Sequence, residues 1–186
     1  MRLLPDKVTV IVVNWNGEQY LEKCLAALIS QTVKPHEIIL LDNASSDGSL
    51  DIVRRFSSVR LIALDENSGF ARGNNLAIEA ASKASEWVAL INPDAFADPR
   101  WLEELLAGAK CNREFDAFGS KLFNAADSNL LDGIGDAYHI SGRLWRTAHK
   151  FPVSALSERA CEIFSPCAAA ALYRRSALLE VGGFDE

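Results

Sequence analysis

The sequence predicts an α/β protein: a mostly parallel sheet flanked by helices, with a mixed β part toward its C-terminal side. Three observations carry this. Continuous apolar, β-branched runs recur at 8–13, 37–41, 59–64 and 87–91, as expected of strands buried on both faces. Segments with apolar residues at helical spacing alternate with them, the signature of a parallel sheet with covering helices. Three of the four runs end in Asn- and Asp-rich clusters, at the edge where open parallel sheets bind ligands.

The first run, Val8 to Val13, ends at the turn Asn14-Trp15-Asn16-Gly17. Leu21, Cys24, Leu25, Leu28 and Ile29 then form one helical stripe, and Pro35 closes that segment. Glu37 to Leu41 is the second strand, ending at Asp42-Asn43. Ser45, Ser46 and Asp47 offer capping side chains to a helix carrying Leu50 and Val53. Val59 to Leu64 is the third strand. The alanine-rich stretch from Phe70 to Ala84 predicts a helix, weakened in its first turn by Gly73. Trp87 to Ile91 is the fourth strand, ending at Asn92-Pro93-Asp94, and Pro99 is placed to start a helix over Arg100 to Ala109. Past 110 the pattern is mixed. Ala117 to Phe123 reads as strand, Gly133, Gly135 and Gly142 suggest hairpin turns, and Cys167 to Leu172 suits strand or helix.

The composition narrows the function classes. With 186 residues, 49% apolar and 24% charged, the chain fits one globular domain, with or without a short extension. A net charge of −6 argues against a protein devoted to nucleic acid. Arg143, Arg146, His149 and Lys150, grouped around Trp145, are a local basic exception. No apolar run approaches the roughly 20 residues that span a bilayer. Met1 to Pro5 is too short and too soon polar for a signal peptide. The expected location is therefore the cytoplasm, with the inner face of the membrane as a possible station. Cys24, Cys111, Cys161 and Cys167 lack C-x-x-C spacing, so reduced core thiols are expected.

Asn, Asp, Ser and Gly at strand ends make turns without any ligand, and for any single cluster that account suffices. It fits all of them together less well, because a turn needs neither Trp15 nor Asp94.

The order and wording of these clusters resemble the family 2 glycosyltransferases, particularly the rhamnosyltransferase-type members. The resemblance rests on Val-Ile-Val-Val-Asn-Trp-Asn (10–16), Leu-Leu-Asp-Asn-Ala-Ser-Ser-Asp-Gly-Ser (40–49) and Asn-Ser-Gly-Phe-Ala-Arg-Gly-Asn-Asn (67–75). It continues with Ile-Asn-Pro-Asp-Ala (91–95) and Arg-Arg-Ser-Ala-Leu-Leu-Glu-Val-Gly-Gly-Phe-Asp-Glu (174–186). It implies the GT-A type of Rossmann-like fold, with a nucleotide-sugar-binding half over 1–110 and an acceptor-side half of the same domain over 111–186. It also implies an inverting transfer of a sugar from a pyrimidine nucleoside-diphosphate-sugar, a UDP- or dTDP-sugar, to a glycan or lipid-linked acceptor.

Within that resemblance each cluster acquires a role. Trp15, between Asn14 and Asn16, offers a flat face to a base. Asp42 and Asn43 can bond the base edge and ribose; relatives often carry a second carboxylate where Asn43 stands. Asn67, Gly69 and Arg72 lie at a helix N-terminus suited to phosphates. Asn92-Pro93-Asp94 occupies the place of the family's D-x-D motif. Asp94 is then the ligand for a divalent cation, Mg²⁺ or Mn²⁺, with Asn92 its weaker partner. Arg143, Trp145, Arg146 and Lys150 either meet a phosphate-bearing acceptor or form a solvated hairpin edge. Gly183, Phe184, Asp185 and Glu186 match the family's acceptor region. Relatives place an acidic pair shortly after that motif, so the general base is expected beyond Glu186, with no catalytic residue inside the sequence and little transfer by these residues alone. A binding module that holds nucleotide-sugar without turning it over is the alternative from another class. A sugar-phosphate nucleotidyltransferase is the other, although its glycine-rich basic loop is missing after the first strand.

Overall fold

A computed structural model describes residues 7–157 and 159–186; Met1 to Pro5 lie outside the described residues. Four parallel strands form its centre: β1 (Val8–Asn14), β2 (Glu37–Asp42), β3 (Val59–Ala63) and β4 (Trp87–Ile91). Helices α1 (Glu18–Ile29), α2 (Ser49–Arg54) and α3 (Phe70–Ala80) connect them in turn, and α4 (Trp101–Cys111) follows β4. Two later strands complete the sheet beside β4: β5 (Ala117–Gly119) and, antiparallel to both neighbours, β10 (Ala170–Arg174). The six-stranded order is β3-β2-β1-β4-β10-β5.

The residue alternation within strands explains the two layers. Val10, Val12 and Leu40 face one side, packing with Leu21, Leu25 and Leu28 of α1 and Leu102 of α4. Ile11, Ile39 and Leu41 face the other, against Ala77 and Ile78 of α3. Each such apolar side chain contributes about 1.5–3 kcal/mol when fully buried, so strands covered on both faces hold the centre of the molecule. The ambiguous run 167–172 resolves as strand from Ala170 onward, because Ala170 to Arg174 pair with Ile91 to Trp87.

Some boundaries differ from the sequence expectation. Helix α3 ends at Ala80, not Ala84, and Ala81 is extended at ψ 147°. Tertiary bonds stop it: Arg60 donates to the Ala80 carbonyl at 2.8 Å, and the Ser82 amide donates to Glu37 at 2.9 Å. Helix α4 starts at Trp101, one residue late, because Asp98 accepts from the Arg100 amide. The thiols also divide. Cys24 and Cys167 are buried as expected, whereas Cys111 and Cys161 are exposed, and all four are free.

From 112 onward the chain forms short ribbons. β6 (Leu122–Phe123) pairs with β7 (Leu131–Gly133), and β8 (Asp136–Tyr138) pairs with β9 (Leu144–Arg146). The last helix, α5 (Arg175–Glu180), ends in Gly182 and Gly183, both at φ 85°. No helix among the described residues is long and apolar enough to cross a membrane.

Candidate functional site

The carboxyl ends of β1, β2 and β4 lie on one edge, and their loops are stitched together by side chains. Asn14, fully buried, donates from Nδ2 to Asp42 Oδ1 at 2.9 Å and to Ser45 Oγ at 3.1 Å. Asp42 Oδ2 accepts from the Ser45 amide at 2.9 Å. Asn16, at φ 52°, accepts from the Ser46 amide, and its own amide donates to Ser45 Oγ. A second pair locks the same two loops: the Glu18 amide donates to Asp47, and the Gly48 amide donates to Glu18. Gly17 is required by close approach, since a Cβ there would sit 2.2 Å from Asn14 Oδ1 and 3.4 Å from Pro93 Cβ. The loop after β1 therefore also touches the loop after β4.

Between the locked Asn14 and Asn16, Trp15 is turned outward and 59% exposed. A tryptophan offered to solvent on rigid backbone is available for stacking, and Trp15 takes no part in the core. Asp42 and Asn43 sit differently from Trp15. Both are buried, and their polar atoms go to protein partners. Asn43 Oδ1 accepts from the Ser68 amide at 2.8 Å and from Ser68 Oγ at 3.0 Å, and Nδ2 donates to the Gly69 carbonyl at 3.1 Å. Asn67 Oδ1 accepts from the Gly69 amide, and Gly69 takes φ 82°, a conformation that favours glycine. The Asn67-Ser68-Gly69 loop is thereby fixed at the N-terminus of α3.

Asn92 is anchored through its backbone: its amide donates to the Ala169 carbonyl at 2.9 Å, and its carbonyl accepts from the Ala95 amide. Asp94 is exposed. Burial pushes the Cys24 thiol up to about 12, and the Asp94 charge adds to the shift, so Cys24 is an inert neighbour of this loop. Gln31, fully buried, fixes the far side of the loop by donating to the Asp98 carbonyl at 2.7 Å and accepting from the Leu102 amide at 3.0 Å.

A divalent cation would find one strand-end carboxylate here. Among the described residues no group of three His, Cys, Asp or Glu can hold a metal. A lone exposed Asp94 fits a hard cation that arrives with a diphosphate, because Mg²⁺-type sites use one or two carboxylates plus substrate phosphate oxygens. It does not fit a metal held by protein alone.

The C-terminal segment lies against α3, bringing two predicted sets together. Asn75 accepts from the Phe184 amide and donates to the Phe184 carbonyl, each at 2.8 Å. Arg72, exposed on the first turns of α3, pairs with Glu186 at 3.2 Å. Phe184 packs edge-on to Tyr173 at 6.0 Å, Gly183 closely approaches Asn75, and Asp185 is exposed. Sequence reasoning missed Asn75 and Gln31. A single buried or clamping amide leaves no periodic trace.

Arg146 is not available to an external anion. It pairs with Asp132 at 2.5 Å, lies 3.8 Å from Asp136 and donates to Cys167 Sγ at 3.4 Å. Arg143, Trp145 and Lys150 are exposed.

The Glycosyl transferase family 2 model matches residues 9–182. The chain is 30% identical over 206 residues to an N-acetylglucosaminyl-diphospho-decaprenol L-rhamnosyltransferase of Mycobacterium tuberculosis, covering 98% of this chain and 66% of that protein. It is 34% identical over 106 residues to the glycosyltransferase GlyA of Streptococcus pneumoniae, covering 55% of this chain and 15% of that one. Among solved structures, a mannosyltransferase from Pyrobaculum calidifontis in complex with GDP-Man and Mn²⁺ superposes with a TM-score of 0.69 at 21% identity, over 98% of this chain and 48% of that one. TarS of S. aureus in complex with UDP superposes with a TM-score of 0.65 at 20% identity, over 94% and 48%. The chain thus spans about two thirds of the length of the rhamnosyltransferase and about half that of the superposed enzymes. The shared architecture is the GT-A fold.

Proposed function

The chain belongs to glycosyl transferase family 2, and from that premise we propose that it binds a pyrimidine nucleoside-diphosphate-sugar and serves its inverting transfer to a glycan or lipid-linked acceptor. The observation that carries the reading is Trp15, held outward between two locked asparagines at the edge where β1, β2 and β4 end. Trp15 stacks the base. Asn14, Asn16, Asp42 and Asn43 keep the surrounding loops in place, so the site is formed before the donor arrives and less ordering entropy opposes binding. Buried partners leave Asp42 and Asn43 only short reach toward the base edge and ribose.

The fixed loop Asn67 to Gly69 at the start of α3 and the Arg72 guanidinium favour the diphosphate. Asp94, with Asn92 beside it, takes a divalent cation together with the phosphate oxygens. When bound, that cation supplies neutralisation of charge on the nucleotide leaving group. Gly183 to Glu186, clamped by Asn75, contribute to the acceptor side. Similarity to a diphospho-decaprenol rhamnosyltransferase and, at 33% identity over 79 residues, to a teichoic acid poly(glycerol phosphate) polymerase of Staphylococcus epidermidis supports an acceptor of the cell-envelope or polysaccharide class.

The test is a thermal-shift panel of UDP, dTDP, ADP and GDP, with and without Mn²⁺. Ligand at 100 times its dissociation constant adds about 2.7 kcal/mol. The expected order puts UDP or dTDP first, improved by Mn²⁺. Equal shifts for all four would leave no pyrimidine preference, and no shift would remove the nucleotide reading altogether.

A further inference from the structure

Serine hydroxyls join the loops at the strand-end edge, and they do so with different polarity. Ser46 Oγ donates to Asn16 Oδ1 at 3.4 Å, and Ser68 Oγ donates to Asn43 Oδ1 at 3.0 Å. Ser45 Oγ is an acceptor instead. It lies 3.1 Å from Asn14 Nδ2 and 2.9 Å from the Asn16 amide. A backbone N–H only donates, which fixes the bond from Asn16. The bond from Asn14 is fixed by Asp42. Its carboxylate only accepts, so the amide nitrogen of Asn14 must face it, and that same nitrogen faces Ser45.

A hydroxyl has two lone pairs and one proton. Both lone pairs of Ser45 Oγ are taken, and its proton has no acceptor among the described residues. Ser45 is only half-buried, so that proton is left for a ligand at the edge. The residues that donate to it, Asn14 and Asn16, stand on either side of Trp15, the face on which the base stacks. They also lock its polarity. With both lone pairs occupied, the hydroxyl cannot turn round and accept from a ligand amino group.

A hydroxyl that can only donate discriminates between pyrimidines. Uracil and thymine carry a keto oxygen, an acceptor, at the 4-position, where cytosine carries an amino group, a donor. A base that enters with its ribose and diphosphate trailing toward Arg72 and Asp94 leads with that position, the one far from the sugar. We propose that Ser45 sets the base specificity of the site: its hydroxyl donates to the 4-keto oxygen of uracil or thymine and meets the cytosine amino group donor to donor. The inference rests on the nucleotide-sugar reading and deepens it, since it names the class of base. Asn14 and Asn16 are then positioning residues for the Ser45 proton, and the specificity comes as much from rejecting the wrong base as from bonding the right one.

The experiment is titration calorimetry of UDP, 4-thio-UDP and CDP in the presence of Mn²⁺, on the parent and on Ser45→Ala. Sulfur is a weak acceptor, so 4-thio-UDP should bind the parent about two- to tenfold more weakly than UDP, the range of one neutral hydrogen bond. CDP, which leaves two donors facing each other, should bind about tenfold more weakly or worse. Ser45→Ala keeps the bond from Asn14 to Asp42, so the edge should survive with a lowered melting temperature. It should lose affinity for UDP and bind UDP and 4-thio-UDP alike. The three ligands on the parent are decisive even where the variant fails to fold. A parent that binds UDP, 4-thio-UDP and CDP equally, or a Ser45→Ala that keeps the parent's preference, would overturn the Ser45 assignment and leave the nucleotide reading standing. A parent that binds none of them would remove both.

Discussion

Up to Cys111 the strands and helices bury Val, Leu and Ile on both faces of the sheet, and even polar Asn14, Asp42 and Asn43 are buried with partners. Between 112 and 166, by contrast, the buried residues among those described are Leu131, Gly133 and Gly135. The first region builds a site whose shape exists before any ligand. The second is held by short strand pairs, turns and a few ion pairs, and it leaves Ile140, Leu144 and Phe164 outside. The nucleotide recognition proposed for the first region needs rigid geometry, and side chains joining one loop to the next supply it there.

Matched truncations sharpen the contrast most strongly. Leu40→Ala, in the centre of β2, should cost about 2–5 kcal/mol in denaturant unfolding. Ile140→Ser should change stability by less than about 0.5 kcal/mol. Similar losses for both would mean the second region has a core of its own. Asn43→Ala comes next, at about 1–3 kcal/mol, because it strands the Ser68 donors and the Gly69 carbonyl. Its melting transition should fall, and the nucleotide-induced shift should weaken with it as the Asn67 to Gly69 loop loosens.

Trp15→Ala separates binding from folding. Being exposed, Trp15 contributes little to the core, so the unfolding midpoint should hold while nucleotide affinity falls by about 1–3 kcal/mol in titration calorimetry. Retained affinity would move the base elsewhere on the edge. Asp94→Asn is the milder case. Nucleotide should still bind, but the extra stabilisation from Mn²⁺ should largely disappear. A variant that keeps the Mn²⁺ effect would make Asp94 a turn residue only.

How much of this was legible beforehand follows the same division. The first four strands were readable because burial on both faces makes continuous apolar runs, and Trp15 and Asp94 stood out because no turn needs them. The bonds that position these residues were not readable. Asn75 meets Phe184 across 109 positions, and the end of α3 at Ala80 is set by Arg60 and Glu37 on other strands. The burial of Asp42 and Asn43 was hidden for the same reason: a polar residue at a strand end looks identical whether it faces a ligand or Ser45. Past 112, where little is buried, there was no periodicity to read. Cys161 accordingly departed from the expectation of core thiols, and Cys111, the last residue of α4, is exposed as well.

Acid gives the smallest expected effect, and it falls on the first region. Glu37 opens β2 and joins three elements: it accepts from Thr9 at 3.2 Å, from the Ser82 amide at 2.9 Å and from Arg60 at 3.1 Å. Burial pushes its carboxyl upward, but the bonds from Ser82, Arg60 and Thr9 together outweigh burial and hold it below its ordinary 4.5. A carboxylate depressed in the folded state stabilises the fold above its unfolded value. That contribution is fully present above about pH 4.5 and is lost as pH falls through the lower folded value. Because Arg60 is half exposed, solvent screening keeps the effect to about 1 kcal/mol or less. Glu37→Gln should therefore lower stability slightly at pH 7 and flatten the decline below pH 4.5, as measured by urea unfolding at a series of pH values. An unchanged acid limb in the variant would place the acid sensitivity elsewhere. If that limb instead tracked Asp132 or Asp136, the region past 112 would contribute more to global stability than its sparse burial implies.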